Sequence, residues 1–255
     1  MPNINTSDTS GPGERTPRGD DDRDRAAAAP RRFPAVTAGE MREVDRIMVD
    51  VYGIDLVRMM ENAGRSLAEL AITRFHPPTV TVLAGAGGNG GGGLVAARHL
   101  INRGVAVTVA VTRPDLAGVP GQQLQILHRM GVPVGSEPTD AALVIDAVIG
   151  YGLHGDPTGP AGDLIAWAAG QPAPVLALDV PSGLDATLGL PGTPCVQATA
   201  TLTLALPKTG LLRAAQVGEL YLADIGVPPA VYQRFGLNVP PLFTDATVLP
   251  LPTYR

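Results

Sequence analysis

Apolar residues recur along this chain at two spacings, and the change between them divides it. Between residues 38 and 50, Met41, Val44, Ile47 and Met48 share one face at helical spacing. Thr37-Ala38-Gly39-Glu40 has the form of a capping box, in which hydroxyl and carboxylate each take a backbone donor. A second helical pattern over residues 56–75 carries Met59, Met60, Ala63, Leu67, Leu70 and Ala71. From Thr79 the spacing shortens to strand-like stretches, largely apolar with threonines among them and Asp146 in the third, at residues 79–84, 105–111, 142–148, 174–178, 198–204 and 220–223, with a helix over 122–130. Runs without polar alternation are strands covered on both faces, as in a parallel sheet between helices. The pattern predicts an α/β protein: a three-layer αβα Rossmann-like fold with a mostly parallel central sheet and two N-terminal helices. This domain is expected over residues 34–238, with one more helix after Pro228. Residues 1–33, poor in large apolar groups, read as a disordered tail, and residues 239–255 as a proline-rich one.

The first apolar run leads into residues 85–93, of which seven are glycine, and then into a helical pattern from Leu94. Bare backbone costs conformational entropy on folding, so a loop built this way answers a need for close approach. Phosphate held by peptide N–H groups at a helix start is the usual one, and the amides of Gly88, Asn89, Gly90, Gly91 and Gly92 are expected to supply the cradle. Gly85-x-Gly87-x-x-Gly90 also fits the dinucleotide fingerprint, in the right setting of strand before and helix after.

Ligands of an open parallel sheet bind beyond the carboxyl ends of its strands. The first strand delivers Asn89 there. The run at 142–148 delivers Asp146 and then a second glycine-rich loop, Gly150, Tyr151, Gly152, Leu153, His154, Gly155 and Asp156. The next delivers Asp179 and Ser182, and the one after it Lys208. Two carboxylates, an amide, a hydroxyl and an ammonium thus meet at one rim. A dehydrogenase wants an acidic residue about 20 positions beyond the glycines for the ribose hydroxyls. Here the second strand runs into Thr112-Arg113-Pro114 with no carboxylate before Asp115, which weakens that reading. Asn89, Asp146 and Ser182 offer only oxygen, with one charge among them; that excludes soft-metal chemistry and suits a weakly held monovalent cation. His76, His99, His128 and His154 are too scattered for a metal set, and only His154 lies on the rim.

Composition narrows the picture further. A net charge of −5 argues against a nucleic-acid footprint. No apolar run nears the ~20 residues of a membrane span, and residues 1–32 lack the apolar centre of a signal peptide. Cys195 is the only cysteine, which excludes an internal disulfide and fits the reducing cytoplasm, the expected location. Lys208 is the only lysine of the chain and is expected near a phosphate or shaping the rim. The methionine-bearing N-terminal helices offer a surface for a homodimer.

Taken in order, Thr37-Ala38-Gly39-Glu40-Met41-Arg42-Glu43-Val44-Asp45, Met60-Glu61-Asn62-Ala63-Gly64-Arg65, Val144-Ile145-Asp146-Ala147, Leu178 to Asp185 and Lys208-Thr209-Gly210-Leu211 resemble the NAD(P)H-hydrate epimerase family. The resemblance extends over about residues 36–228. It implies a repair activity that interconverts the R and S epimers of NADH or NADPH hydrated at C6. It also implies a potassium ion on Asn89, Asp146 and Ser182, ligand contacts from the glycine stretch and from residues 150–156, and Asp179 as acid/base group. Many relatives join this domain to a dehydratase, which is expected here to be a separate protein. The family usually reads Asn-Asn-Gly-Gly-Asp where this chain has Gly88-Asn89-Gly90-Gly91-Gly92, so an amide and a carboxylate are missing from the loop.

Inverting a saturated C6 requires breaking a bond there: the ring nitrogen expels the hydroxyl, or the ring opens. Either route leaves a planar carbon and needs a group that gives and takes a proton, work a carboxylate such as Asp179 can do. The rival reading is a catalytically degenerate nucleotide-binding or assembly module of the same fold.

Overall fold

The computed structural model describes residues 33–252. The segment 1–32, most of the expected disordered tail, lies outside them; Phe33 packs against the hydrophobic cluster under the first helix. That helix, α1 (Ala38–Asp50), has the capping box, with Glu40 N–H on the Thr37 hydroxyl and Thr37 N–H on the Glu40 carboxylate. Helix α2 (Leu56–Leu70) is capped by Asp55 and ends in one wider turn over Ala71–Phe75.

The sheet comprises β1 (Thr79–Ala84), β2 (Ala106–Val111), β3 (Val134–Gly135), β4 (Leu143–Ala147), β5 (Val175–Leu178), β6 (Ala200–Leu204), β7 (Glu219–Ala223) and β8 (Val248–Leu251). Their spatial order is β3-β2-β1-β4-β5-β6-β7-β8. All pairings are parallel except β7 with β8. Helices α3 (Gly88–Ile101), α4 (Gly118–Arg129), α5 (Gly159–Ala169) and α6 (Pro229–Gln233) complete the domain. The expected three-layer architecture with its two leading helices is therefore present. Among the described residues no helix is long and apolar enough to cross a membrane.

Two expectations need correction, and one helix lies where none was expected. Residues 239–252 of the expected tail are no mere tail: β8 within them adds the last strand to the sheet, pairing Pro250 with Tyr221. A proline is tolerated there because an edge strand has one side free of ladder bonds. The short apolar segment 159–169 forms α5, which covers the β4–β5 face. And the glycine stretch is largely helix rather than loop, since α3 begins at Gly88.

Packing explains that last point. A Cβ on Gly91 would stand 2.4 Å from Met60 Sδ of α2, and one on Gly93 2.5 Å from Ala147 Cβ of β4. The glycines thus let α3 lie against α2 and the sheet more closely than side chains allow, which offsets the poor helix propensity of glycine. Met41, Met48, Met59 and Met60 are buried within the chain, so they offer nothing to a dimer; the exposed apolar groups of this region are Val49, Val51, Tyr52, Leu56 and Val57.

Candidate active site

Strand β1 has β2 on one side and β4 on the other, so the strand order reverses between β1 and β4, where α/β sheets open a binding crevice. A cavity of about 740 Å³ lies there. The start of α3, the loop after β4, Asp179 after β5, and Lys208 all line it, with Met59 and Met60 of α2 and Arg42 and Asp45 of α1.

Asp179 is the buried centre of this arrangement. It holds a left-handed backbone conformation, φ +66°, which aspartate tolerates better than most residues. Its Oδ1 accepts from Lys208 Nζ at 2.5 Å and its Oδ2 from Tyr151 N–H at 3.1 Å. Lys208 is fully buried and also donates to Leu204 O at 2.9 Å. The lysine expected near a phosphate or shaping the rim is therefore the partner of the candidate catalytic carboxylate. With the Lys208 side chain fully buried, a buried anion beside the cation is the arrangement that avoids an unpaired charge.

Tyr151 ties these groups to α1. Its hydroxyl donates to Asp45 Oδ2, and its ring lies 5.7 Å from the Lys208 ammonium. Burial pushes both the phenol and the Asp45 carboxyl above their usual ranges. The reading of the sequence missed Asp45, although a signal was present: Met41, Asp45 and Met48 fall on one helical face, so this acid interrupts an apolar stripe.

Two of the three expected cation ligands, Asp146 and Ser182, are in direct contact, and Asn89 lies beside Gly150, next to the Ile149 backbone that Ser182 binds. Asp146 on β4 is completely buried and accepts from Ser182 Oγ at 2.6 Å, Ser182 N–H at 2.8 Å and Val148 N–H at 3.3 Å. Ser182 Oγ in turn meets Ile149 N–H at 2.8 Å. With no cationic side chain bonded to it, Asp146 is pushed up to about 6 by burial. Asn89 carries a buried Nδ2 without a hydrogen-bond partner, and a Cβ on Gly150 would stand 3.1 Å from its Oδ1. The Asp146 carboxylate, the Ser182 hydroxyl and the Asn89 Oδ1 beside Gly150 offer oxygen donors of single charge, a donor type that suits a monovalent cation, whereas the unsatisfied Asn89 Nδ2 is a hydrogen-bond donor that calls for an acceptor instead. Among the described residues no cluster of His, Cys, Asp or Glu offers another metal site.

Of the remaining expected contacts, Gly88, Asn89 and Gly92 line the cavity, as do Gly150, Tyr151, Gly152, Leu153, His154 and Asp156. Gly90, Gly91 and Gly155 do not. Gly90 and Gly91 are buried in the packing of α3, and Gly155 makes a turn at φ +69°. Gly91 N–H bonds Gly87 O at 3.1 Å, so the amides without a helical partner are those of the cap and first turn, Gly87 to Gly90, rather than Gly88 to Gly92, and of these Gly87, Gly88 and Asn89 line the cavity. Both loop departures face the cavity: a side chain at Gly88 would meet nothing nearer than Met60 Cε at 3.8 Å, and one at Gly92 would press on Leu178 at 2.8 Å. Cys195 is bystander chemistry, its half-buried thiol pushed up to about 11 by burial.

The family profile described as YjeF-related protein N-terminus matches residues 57–210. An NAD(P)H-hydrate epimerase of Dehalogenimonas lykanthroporepellens is 49% identical over 212 residues, covering 80% of this chain and 86% of that protein. The chain belongs to the NAD(P)H-hydrate epimerase family. A second member with that name, from Truepera radiovictrix, is 38% identical over 209 residues and is covered to 94%. The bifunctional NAD(P)H-hydrate repair enzyme Nnr of Salinibacter ruber is 35% identical over 228 residues, and the match spans 42% of its length. The crystal structure of yeast ynu0, YNL200c, superposes with a TM-score of 0.75 at 24% identity over 86% of this chain and the whole of that one, a likeness of fold.

Proposed function

We propose that this chain interconverts the R and S epimers of C6-hydrated NADH and NADPH, with Asp179 as an acid/base group. The observation that carries the reading is a shared cavity: Asp179 and the free amides at the start of α3 open onto the same space. At about 740 Å³ it lies within the usual range of small-molecule sites. The substrate's pyrophosphate is placed at the α3 N-terminus, where free N–H groups and the helix dipole favour an anion. The reduced ring then reaches inward toward Asp179, against the apolar wall of Met59 and Met60 that keeps bulk water from the planar intermediate.

Lys208 and the Tyr151 amide hold the Asp179 carboxylate at one orientation for proton transfer to or from the C6 oxygen. A potassium ion on Asn89, Asp146 and Ser182 would supply a positive charge beside the buried Asp146 and tie β4, the loop after β5 and the start of α3 into one frame.

The reading is checked by following exchange between separated epimers of hydrated NADPH. Exchange is expected at catalytic rates with the purified chain; binding without exchange is the outcome expected of a degenerate module. Replacing potassium by tetramethylammonium should lower both the exchange rate and the melting temperature, because a ligand of the folded state alone stabilises it by mass action. Asp146→Asn should abolish that salt-specific shift. Equal rates and equal melting in both salts would remove the cation from the site.

A further inference from the structure

Inversion at C6 makes demands on two faces of one ring. If the hydroxyl leaves from one face, it needs a proton there; the water that adds on the other face must lose one there. A single carboxylate meets both demands only if the ring turns over or opens. Two carboxylates astride the ring meet them without either, as paired acids about 6.5–9.5 Å apart do across a sugar ring with water on the far face.

The cavity is lined by two carboxylates. Asp45 on α1 and Asp179 after β5 both line it, from opposite ends of one tyrosine: the Tyr151 peptide N–H donates to Asp179 and the Tyr151 hydroxyl to Asp45. The two acids therefore stand a tyrosine's length apart. Asp45 Oδ1 accepts no hydrogen bond among the described residues, which leaves one oxygen for a ligand. We infer that Asp45 is a second catalytic acid/base, serving the face of the reduced ring opposite to Asp179. This rests on the epimerase reading and gives that site its second proton carrier.

The step balances. The C6–O bond breaks and the oxygen leaves as water with a proton from the carboxylic acid on its face, while the N1 lone pair forms a C6=N1 iminium. Water on the other face forms the new C6–O bond and gives its proton to the carboxylate there. One proton enters and one leaves, and nothing is oxidised. Burial keeps Asp45 protonated to higher pH than an exposed aspartate, with the neighbouring Asp179 charge acting in the same direction. The Tyr151 hydroxyl and the Lys208 ammonium oppose it, and Arg42 and Tyr232 are the other ionisable groups close by.

The test uses the full chain, both purified epimers of hydrated NADPH, and water enriched in oxygen-18. The wild type should invert C6 and take up label together. Asp45→Asn, which can still accept the Tyr151 hydroxyl, should lose at least about 100-fold in inversion rate, the usual worth of a general acid or base. It should keep KM nearly unchanged and still exchange the C6 oxygen with retention in one epimer. Tyr151→Phe should move the alkaline limb of kcat to higher pH, because the hydroxyl that lowers the Asp45 pKa is gone. Wild-type inversion by Asp45→Asn, loss of label uptake in step with a rise in KM, or an unmoved limb in Tyr151→Phe each overturns the inference. Wild-type inversion without label overturns it too, in favour of ring opening, and leaves the epimerase reading standing. Absence of inversion in the wild type overturns both.

Discussion

Asp179→Asn should cost about 10³-fold in epimer exchange, within the range for loss of a general acid/base, and should also melt well below the wild type. The second effect follows from the pairing with Lys208. Both side chains are buried, and removing one partner leaves an uncompensated charge, at a cost of about 3–5 kcal/mol. For a domain of this size that is a fall in melting temperature on the order of 10 °C. Lys208→Met should melt as early, for the mirror-image reason. The double variant Asp179→Asn/Lys208→Met should recover most of the stability, since an uncharged pair of similar volume replaces an ion pair without leaving either charge behind, and the amide oxygen of the introduced asparagine can still accept the Tyr151 N–H. It should recover none of the activity. Melting curves and exchange rates on the four proteins separate the two roles of Asp179. If the double variant melts no higher than the singles, the pair is not coupled as the 2.5 Å contact implies. If it regains exchange, Asp179 is not the proton carrier.

The legible and the hidden parts of this site differ by element. Asp146, Asp179 and Ser182 could be placed from the chain alone because Asp146 lies at the carboxyl end of one largely apolar strand and the other two just after the next, and the end of a parallel strand has a fixed position in this fold. Asp45 had no such anchor. It sits on a helix, where its direction depends on which neighbours cover that helix, and those come from β7, the segment after it and Lys208, all far along the chain. The partner of Lys208 was invisible for the same reason: nothing in Pro207-Lys208-Thr209 says that the ammonium turns inward to Asp179. The glycine stretch was misjudged through propensity. Six of the seven residues from Gly87 to Gly93 are glycines, poor helix formers, yet Met60, Leu178 and Ala147 crowd them so closely that packing rather than propensity sets the conformation. Helix α5 was missed because its residues are mainly alanine, glycine and isolated apolar groups, without the contrast of a two-faced surface helix.

The glycines of that stretch should respond unequally to alanine. At Gly88 the nearest atoms to an added Cβ are Met60 Cε at 3.8 Å and Leu56 Cδ1 at 3.9 Å, ordinary contact distances. Gly88→Ala should therefore hold or raise stability, since alanine is the better helix former by about 1 kcal/mol. At Gly90 the added Cβ would stand 1.9 Å from Gly85 O and 2.6 Å from its carbonyl carbon, backbone atoms that no rotamer change can move aside. Gly85 is pinned in turn: its N–H bonds Ala147 O at 3.1 Å, and its own Cβ position lies 1.9 Å from Val148 O. Relief at Gly90 must therefore push the start of α3 away from the loop after β4. That motion separates Asn89 from Asp146 and Ser182, and withdraws the free amides of the first turn from the cavity that Asp179 faces. Gly90→Ala should lose on the order of 3 kcal/mol, the upper part of the range for overpacking. It should lose the potassium-dependent rise in melting temperature and nearly all exchange, while Gly88→Ala keeps both. Equal behaviour of the two variants would mean that the start of α3 is loose enough to absorb a methyl group, and that the close contact between β1, β4 and α3 does not hold the site together.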